Sequence, residues 1–386
     1  LQPPLIFHLS CGAIKTDQHC RNLETKTANA AFSLALFSKW EIISSHKNEN
    51  SMRKKKATIL VSFGEPRNER DLSSYMQSCL QGEGFMKKKK SWLSKLFHSG
   101  KIRKEIARHK KECQAIGSFS PYCEQIVRWK EESAKVALGP LFCFFLNLPS
   151  THQEFFAELK NTNADEYLLL PAFPQFSYAH AGKIAGFFAD HLKKDLLQRF
   201  RWVKSYAAHS AYVQSYQNII QESLKKEKIK EEDVILLFSC AGIDPSYLEN
   251  GDLYASECEI SFKEILKAFP FALGRLSFQN TLETNSSPLS PTTYDCCQNI
   301  ETWCEKRKKL LMVPMSFVVE SLSTLYEMDH LYIPLIRKKG MQAFRTPTLA
   351  SHPEWAKNSF ELFKEKNFVN NQMLLYFRTK ERRSIL

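Results

Sequence analysis

Short apolar runs alternate along this chain with longer stretches whose apolar residues recur every three or four positions. The runs at 57–62, 140–146, 166–170, 234–239, 273–278 and 310–315 have the length and apolar content of buried strands. Periodic stretches at 70–80, 101–115, 121–135, 151–160, 183–199, 210–226, 257–268, 294–308, 318–330 and 353–365 predict helices. Strand–helix alternation of this kind predicts an α/β fold in which parallel sheets are covered by helices on both faces. Six strands and ten helices suit two doubly wound halves better than one, although no sequence repeat relates the halves. The opening of the chain has no such period. Residues 1–56 are expected to be an unassigned extension, disordered or read from a frame extended upstream of Met52, with a targeting peptide as the alternative.

A chain of 386 residues has room for one large core or two of ordinary size, and 43% hydrophobic content is that of a globular protein. No apolar run approaches the roughly 20 residues that a membrane-spanning helix needs. The formal charge of +13 is concentrated between Met52 and Lys111, in clusters at 54–56, 87–90 and 101–111. A lysine-rich solvated helix explains this, and so does contact with a membrane surface, because Trp92, Leu93, Leu96 and Phe97 interleave with the lysines. No nucleic-acid-binding motif accompanies the charge. Eleven scattered cysteines fit free thiols in a reducing cytoplasm, and Cys296, Cys297 and Cys304 lack a fourth ligand at a metal-site spacing.

The segment 316–332 holds the most chemistry. It follows the apolar run at 310–315, and a strand that feeds a helix puts the first helical turns at the carboxyl edge of a parallel sheet, where open α/β folds bind ligands. Glu320 and Glu327 stand seven apart, so on one helix they share a face. Such a pair can hold a cation or move protons, or it can be a solvated helix face.

The pattern F-V-x-E-x-L-x-T-L-Y-E-x-D in that segment closely resembles the helix near the C-terminus of ferrochelatases, which insert ferrous iron into a porphyrin. Three more segments agree in order. Leu60, Val61, Ser62, Phe63, Gly64, Glu65 and Pro66 resemble the first strand and its loop. Pro171, Ala172, Phe173, Pro174, Gln175, Phe176 and Ser177 resemble the P-x-x-P-Q-[FY]-S segment. Phe238 and Ser239, then Gly242, Ile243, Tyr247, Asn250, Gly251 and Asp252, resemble the loop that carries the family's catalytic histidine. The resemblance implies two Rossmann-like domains with a porphyrin cleft between them: 57–175 as the first half, 176–344 as the second, and 345–386 returning to the first. It implies insertion of Fe²⁺, as substrate, into protoporphyrin IX or coproporphyrin III in haem synthesis, in the cytoplasm. The alternative is an inactive relative that binds porphyrin or haem. No resident cofactor is expected. An iron–sulfur cluster is not expected either, because no cysteine follows Cys304 and Tyr178 stands where another ligand can occur.

The resemblance also shows what is missing. Ala241 occupies the position of the catalytic histidine, and Ser323 that of its partner glutamate, while Glu327 keeps the second acidic position. Alanine takes no proton, and serine without an activating neighbour is a poor base. His180 is the candidate for a relocated base, or else a hydrogen-bonded loop residue. Glu320 and Glu327 are the candidates for conducting iron. Phe63, Gln175, Phe176, Ser177 and Tyr178 are expected to grip the macrocycle, with core packing the alternative for Phe63 and Phe176. His209 reads as structural, and the lysines of 86–104 are expected to face the porphyrin carboxylates.

Overall fold

The computed structural model of the chain describes residues 54–81, 92–279 and 289–375. The expectations attached to residues 1–53, to the lysines at 87–90 and to the side chains of Trp92, Leu93, Leu96 and Phe97 lie outside the described residues. Two sheets organise the rest. The first contains β1 (Lys56–Ser62), β2 (Leu141–Phe145), β3 (Glu166–Pro171), β4 (Phe200–Val203) and β9 (Phe368–Val369), in the order β2-β1-β3-β4-β9. Its first four strands are parallel, and β9 closes the edge antiparallel to β4. The second contains β5 (Val234–Cys240), β6 (Leu273–Phe278), β7 (Lys309–Val313) and β8 (Gln342–Arg345), all parallel, in the order β6-β5-β7-β8. The two sheets therefore repeat one strand order, so the repeat absent from the sequence is present in the topology.

The central strands are apolar on both faces because helices cover both. All seven residues of β5 are buried, as are six of seven in β1. One core lies under the helix Ala181–His191, whose Ile184, Ala185 and Phe188 pack with Ile59, Val61 and Leu169. A larger core spans both sheets. In it the helix Ser210–Lys226 brings Tyr212, Tyr216, Ile219 and Ile220 against Leu60 of the first sheet and Leu236 and Phe238 of the second.

Three strands escape the sequence pattern. β4 and β8 have four residues each and β9 two, too few to display a period. β4 moves the division between halves. The sequence expectation began the second half at 176, but both the helix Ala181–His191 and β4 belong to the first sheet, and the handover falls between Val203 and Val234. The stretch 183–199 is also broken: Leu192 is extended, which separates Ala181–His191 from the short helix Lys194–Leu197. The stretch 294–308 shortens to Thr293–Gln298 and a 3-10 turn at Ile300–Thr302, ahead of the positive φ of Glu305 and Lys306. The C-terminal segment packs on the first half. Trp355 lies 5.8 Å from Trp129 between ring centres, Trp129 donates to Ser359 Oγ at 2.9 Å, and Val369 pairs with Trp202.

Candidate active site

In each sheet the strand order reverses beside its first strand, between β1 and β3 and again between β5 and β7. Loops leaving the carboxyl ends of strands diverge at such a point and leave a crevice. Here the two crevices open into one cavity of about 810 Å³. Phe63, Gly64 and Glu65 line it after β1, and Phe173, Gln175, Ala179 and His180 after β3. Ala241, Gly242 and Ile243 line it after β5, and Ser316, Phe317 and Val318 after β7. Gly64 is required where it stands: its φ is +77°, and a Cβ there would lie 2.9 Å from that of Phe145.

The wall on the first half is aromatic. Phe63 and Phe173 have ring centres 4.8 Å apart, His180 stacks on Phe173 at 5.2 Å, and Tyr254 meets the edge of His180 at 5.1 Å. Two polar atoms in this wall, His180 Nδ1 and Gln175 Oε1, are buried without a hydrogen-bond partner, although Gln175 Nε2 donates to Tyr212 and Ser261. Burial pushes the His180 imidazole down to about 3, with Lys183 adding to the effect.

On the second half, Ala241 is anchored by its backbone. Its N–H donates to Ser316 Oγ at 2.7 Å and its carbonyl accepts from Tyr254 at 2.8 Å. β7 does not feed a helix directly. A loop over 314–321 intervenes, and after Leu322 the segment Ser323–Tyr332 is a π-helix, a form often found at functional sites. Glu320 therefore lies before the helix, and the expected shared face with Glu327 does not form. Glu320 is buried and turned to Arg345, whose Nη1 is 3.1 Å away; it also accepts from Thr324 Oγ1 and Thr348 N–H. The same guanidinium forks onto Asp329 at 2.9 Å through two nitrogens. This network pins the π-helix to the end of β8 and engages the Glu320 carboxyl with Arg345, Thr324 and Thr348.

Of the residues expected from sequence, Phe63, Gln175, His180, Ala241, Ser323 and Glu327 line the cavity. Phe176, Ser177 and Tyr178 do not. Phe176 is buried in the core of the first sheet, beneath Lys204 Nζ at 4.9 Å. Ser177 Oγ and the Tyr178 N–H both donate to Asp252 at 2.8 Å, which ties the loop to the second half. Strand alternation cannot sort these neighbours, because the chain has already left β3. His209 caps the helix Ser210–Lys226 by accepting from Ala211 N–H and meets Glu365 at 3.0 Å, a structural role.

Glu65 is the residue that sequence reading passed over, since it stood inside a motif valued for its strand and glycine. It lines the cavity, accepts from the Leu322 N–H at 3.2 and 3.4 Å, and is bound by the Ser120 hydroxyl. Burial outweighs these bonds and pushes its carboxyl up to about 7. Burial likewise raises Glu327 to about 7, against a hydrogen bond from Tyr332 at 3.2 Å. The helix Trp92–Ala115 shapes both. Its Glu112 repels Glu65 and Glu327, while Arg108, paired with Glu105 at 2.7 Å and Glu112 at 3.6 Å, favours the anion of Glu327. The helix that reads as a solvated lysine face thus turns charged residues towards the site. Among the described residues, no three of histidine, cysteine, aspartate and glutamate gather in a group that could hold a metal ion.

A family model described as Ferrochelatase matches residues 55–367. The chain is 28% identical to the ferrochelatase of Chlamydia pneumoniae over 323 residues, 83% of this chain and 96% of the relative. It is 28% identical to the ferrochelatase of Chlamydia caviae, over 83% and 98% respectively. Among solved structures, SirB from Bacillus subtilis with Fe³⁺ aligns over 81% of this chain and 95% of its own at 12% identity and a TM-score of 0.48.

Proposed function

The chain belongs to the ferrochelatase family, and from that premise we propose that it inserts Fe²⁺ into a porphyrin, protoporphyrin IX or coproporphyrin III, in the cavity between its two sheets. The convergence of both sheets' switch-point loops on one cavity carries this reading. Its volume of about 810 Å³ suits a large ligand, and its aromatic wall suits a flat apolar ring. The unpartnered Gln175 Oε1 and His180 Nδ1 can be satisfied by polar groups of a guest.

Metallation breaks two pyrrole N–H bonds, so protons must leave as iron enters. Ala241 has no group to receive one, and among the described residues no hydrogen-bonding neighbour activates the Ser323 hydroxyl for it. His180, pushed to about 3, is neutral near pH 7 and holds a proton weakly, so it serves as a polar wall residue. Glu327 is the better acceptor, because an acid titrating about 7 is matched to proton transfer near neutrality. A cytoplasmic setting belongs to the same proposal, supported by nine free cysteines among the described residues. Contact with a membrane surface through the basic helix and the absence of any nucleic-acid partner complete it; no described helix is long and apolar enough to cross a membrane.

The test is anaerobic mixing of the full chain with protoporphyrin IX or coproporphyrin III and Fe²⁺, following the Soret band. Turnover yielding the iron porphyrin is the expected result. A chain that binds porphyrin tightly but never metallates it refutes the enzymatic reading.

A further inference from the structure

Glu65 has no part in the reading so far, yet it reaches the cavity from the opposite half of the molecule to Glu327. Its side chain is fixed there. The positive φ of Gly64 turns the chain out of β1, the Leu322 N–H binds both carboxylate oxygens, and the Glu65 carbonyl accepts from Cys123 Sγ at 3.3 Å. Leu322 is the residue just before the π-helix that carries Glu327, so one contact sets the position of both acids. A separate observation marks this hollow as a binding place: His180 and Gln175, both lining it, each keep a buried polar atom without a partner. We propose that Glu65 is a second proton acceptor for metal insertion, working with Glu327 so that each carboxylate takes one of the two pyrrole protons. The proposal rests on the cavity being the porphyrin site.

The balance is simple. Two N–H bonds break, their electron pairs become donor pairs to iron, and the iron remains Fe²⁺. The two protons pass to the two carboxylates and then to water, so the entering dication replaces two protons and the porphyrin complex gains no net charge. Both acids are held near neutrality by burial, which lets each accept and release a proton without a large penalty. The groups facing Glu65 are Ser120, Tyr122 and Cys123 from one helix and its approach, and Glu112 and Cys113 from the helix Trp92–Ala115. Those facing Glu327 are Tyr332, Arg108, Glu112 and Glu65 itself, whose charge raises the Glu327 carboxyl further. Arg108 is the cation among these groups, and a guanidinium, already protonated, cannot accept a pyrrole proton.

The experiment compares the full chain with Glu65→Gln, Glu327→Gln and Glu65→Asp, measuring porphyrin affinity by fluorescence quenching and Fe²⁺ insertion as kcat/KM against pH. Glutamine keeps an oxygen for the Leu322 N–H. Two required carboxylates make the acidic limb of the parent profile fall with a slope of two. Glu65→Gln is expected to lower insertion about 100-fold, reduce that slope to one, and change porphyrin affinity less than about threefold. Glu65→Asp is expected to recover part of the rate. A parent slope of one, or a Glu65→Gln rate within about threefold of the parent, overturns the proposal. So does a slower variant whose slope is unchanged, since that is loss of positioning alone. A parent chain that binds no porphyrin overturns the underlying site instead, and is recognised before any variant is made.

Discussion

Replacing Glu327 by glutamine removes a charge that the fold disfavours, so the variant should gain stability while losing activity. The native carboxyl titrates about 7 and its ordinary value is 4.5. The folded state therefore binds that proton more tightly than the unfolded state. This contribution is fully present below pH 4.5 and is lost as pH rises through 7. At about 1.4 kcal/mol per pH unit, the gap caps the penalty above neutrality at about 3.4 kcal/mol. Glu327 is partly open to the cavity, and water there screens it, so about 1 kcal/mol is the working figure. For a body of this size that is about 2 °C in melting temperature. Glutamine still accepts from Tyr332, which lies 3.2 Å from the native oxygen. Thermal melts of parent and variant, followed by tryptophan fluorescence, should coincide at pH 4.5 and separate by about 2 °C in favour of the variant at pH 8.5. If the variant melts lower at pH 8.5, or the difference is the same at both pH values, the Glu327 carboxylate is a structural ligand and the argument from burial fails.

Glu320→Gln should leave Fe²⁺ insertion within about twofold of the parent, because Arg345 already occupies that carboxylate. Arg345→Met should cost about 3–5 kcal/mol in urea unfolding by leaving the buried Glu320 and its neighbour Asp329 uncompensated. His180→Phe should keep the stacking on Phe173 and slow insertion less than about tenfold, with the acidic limb of the pH profile unmoved; a limb that disappears would return His180 to the role of base. Ala241→His with Ser323→Glu should speed insertion about tenfold or more if the cleft is intact, since both positions line the cavity; no gain with porphyrin affinity preserved would place the reaction elsewhere.

The sequence by itself determined the family, the α/β class and the approximate course of six strands, because buried parallel strands are apolar on both faces and need no partner to be recognised. By resemblance it also puts Ala241 and Ser323 at the positions of the family's histidine and glutamate, with motif residues on both sides of Ala241 and Thr324, Leu325 and Tyr326 after Ser323 setting that register. Which acids reach the cavity was decided only in three dimensions. Glu320 and Glu327 look equivalent at seven residues' spacing, but the loop ahead of the π-helix sends one to Arg345 and the other to the cavity. Phe63 and Phe176 look equally suited to hold a ring, and only the turn after β3 buries the second. Glu65 and Glu112 lie 47 residues apart in the sequence, and nothing local couples them. The shift of a carboxyl depends on how much water and which charges surround it, and those are set by elements from both halves meeting at one place.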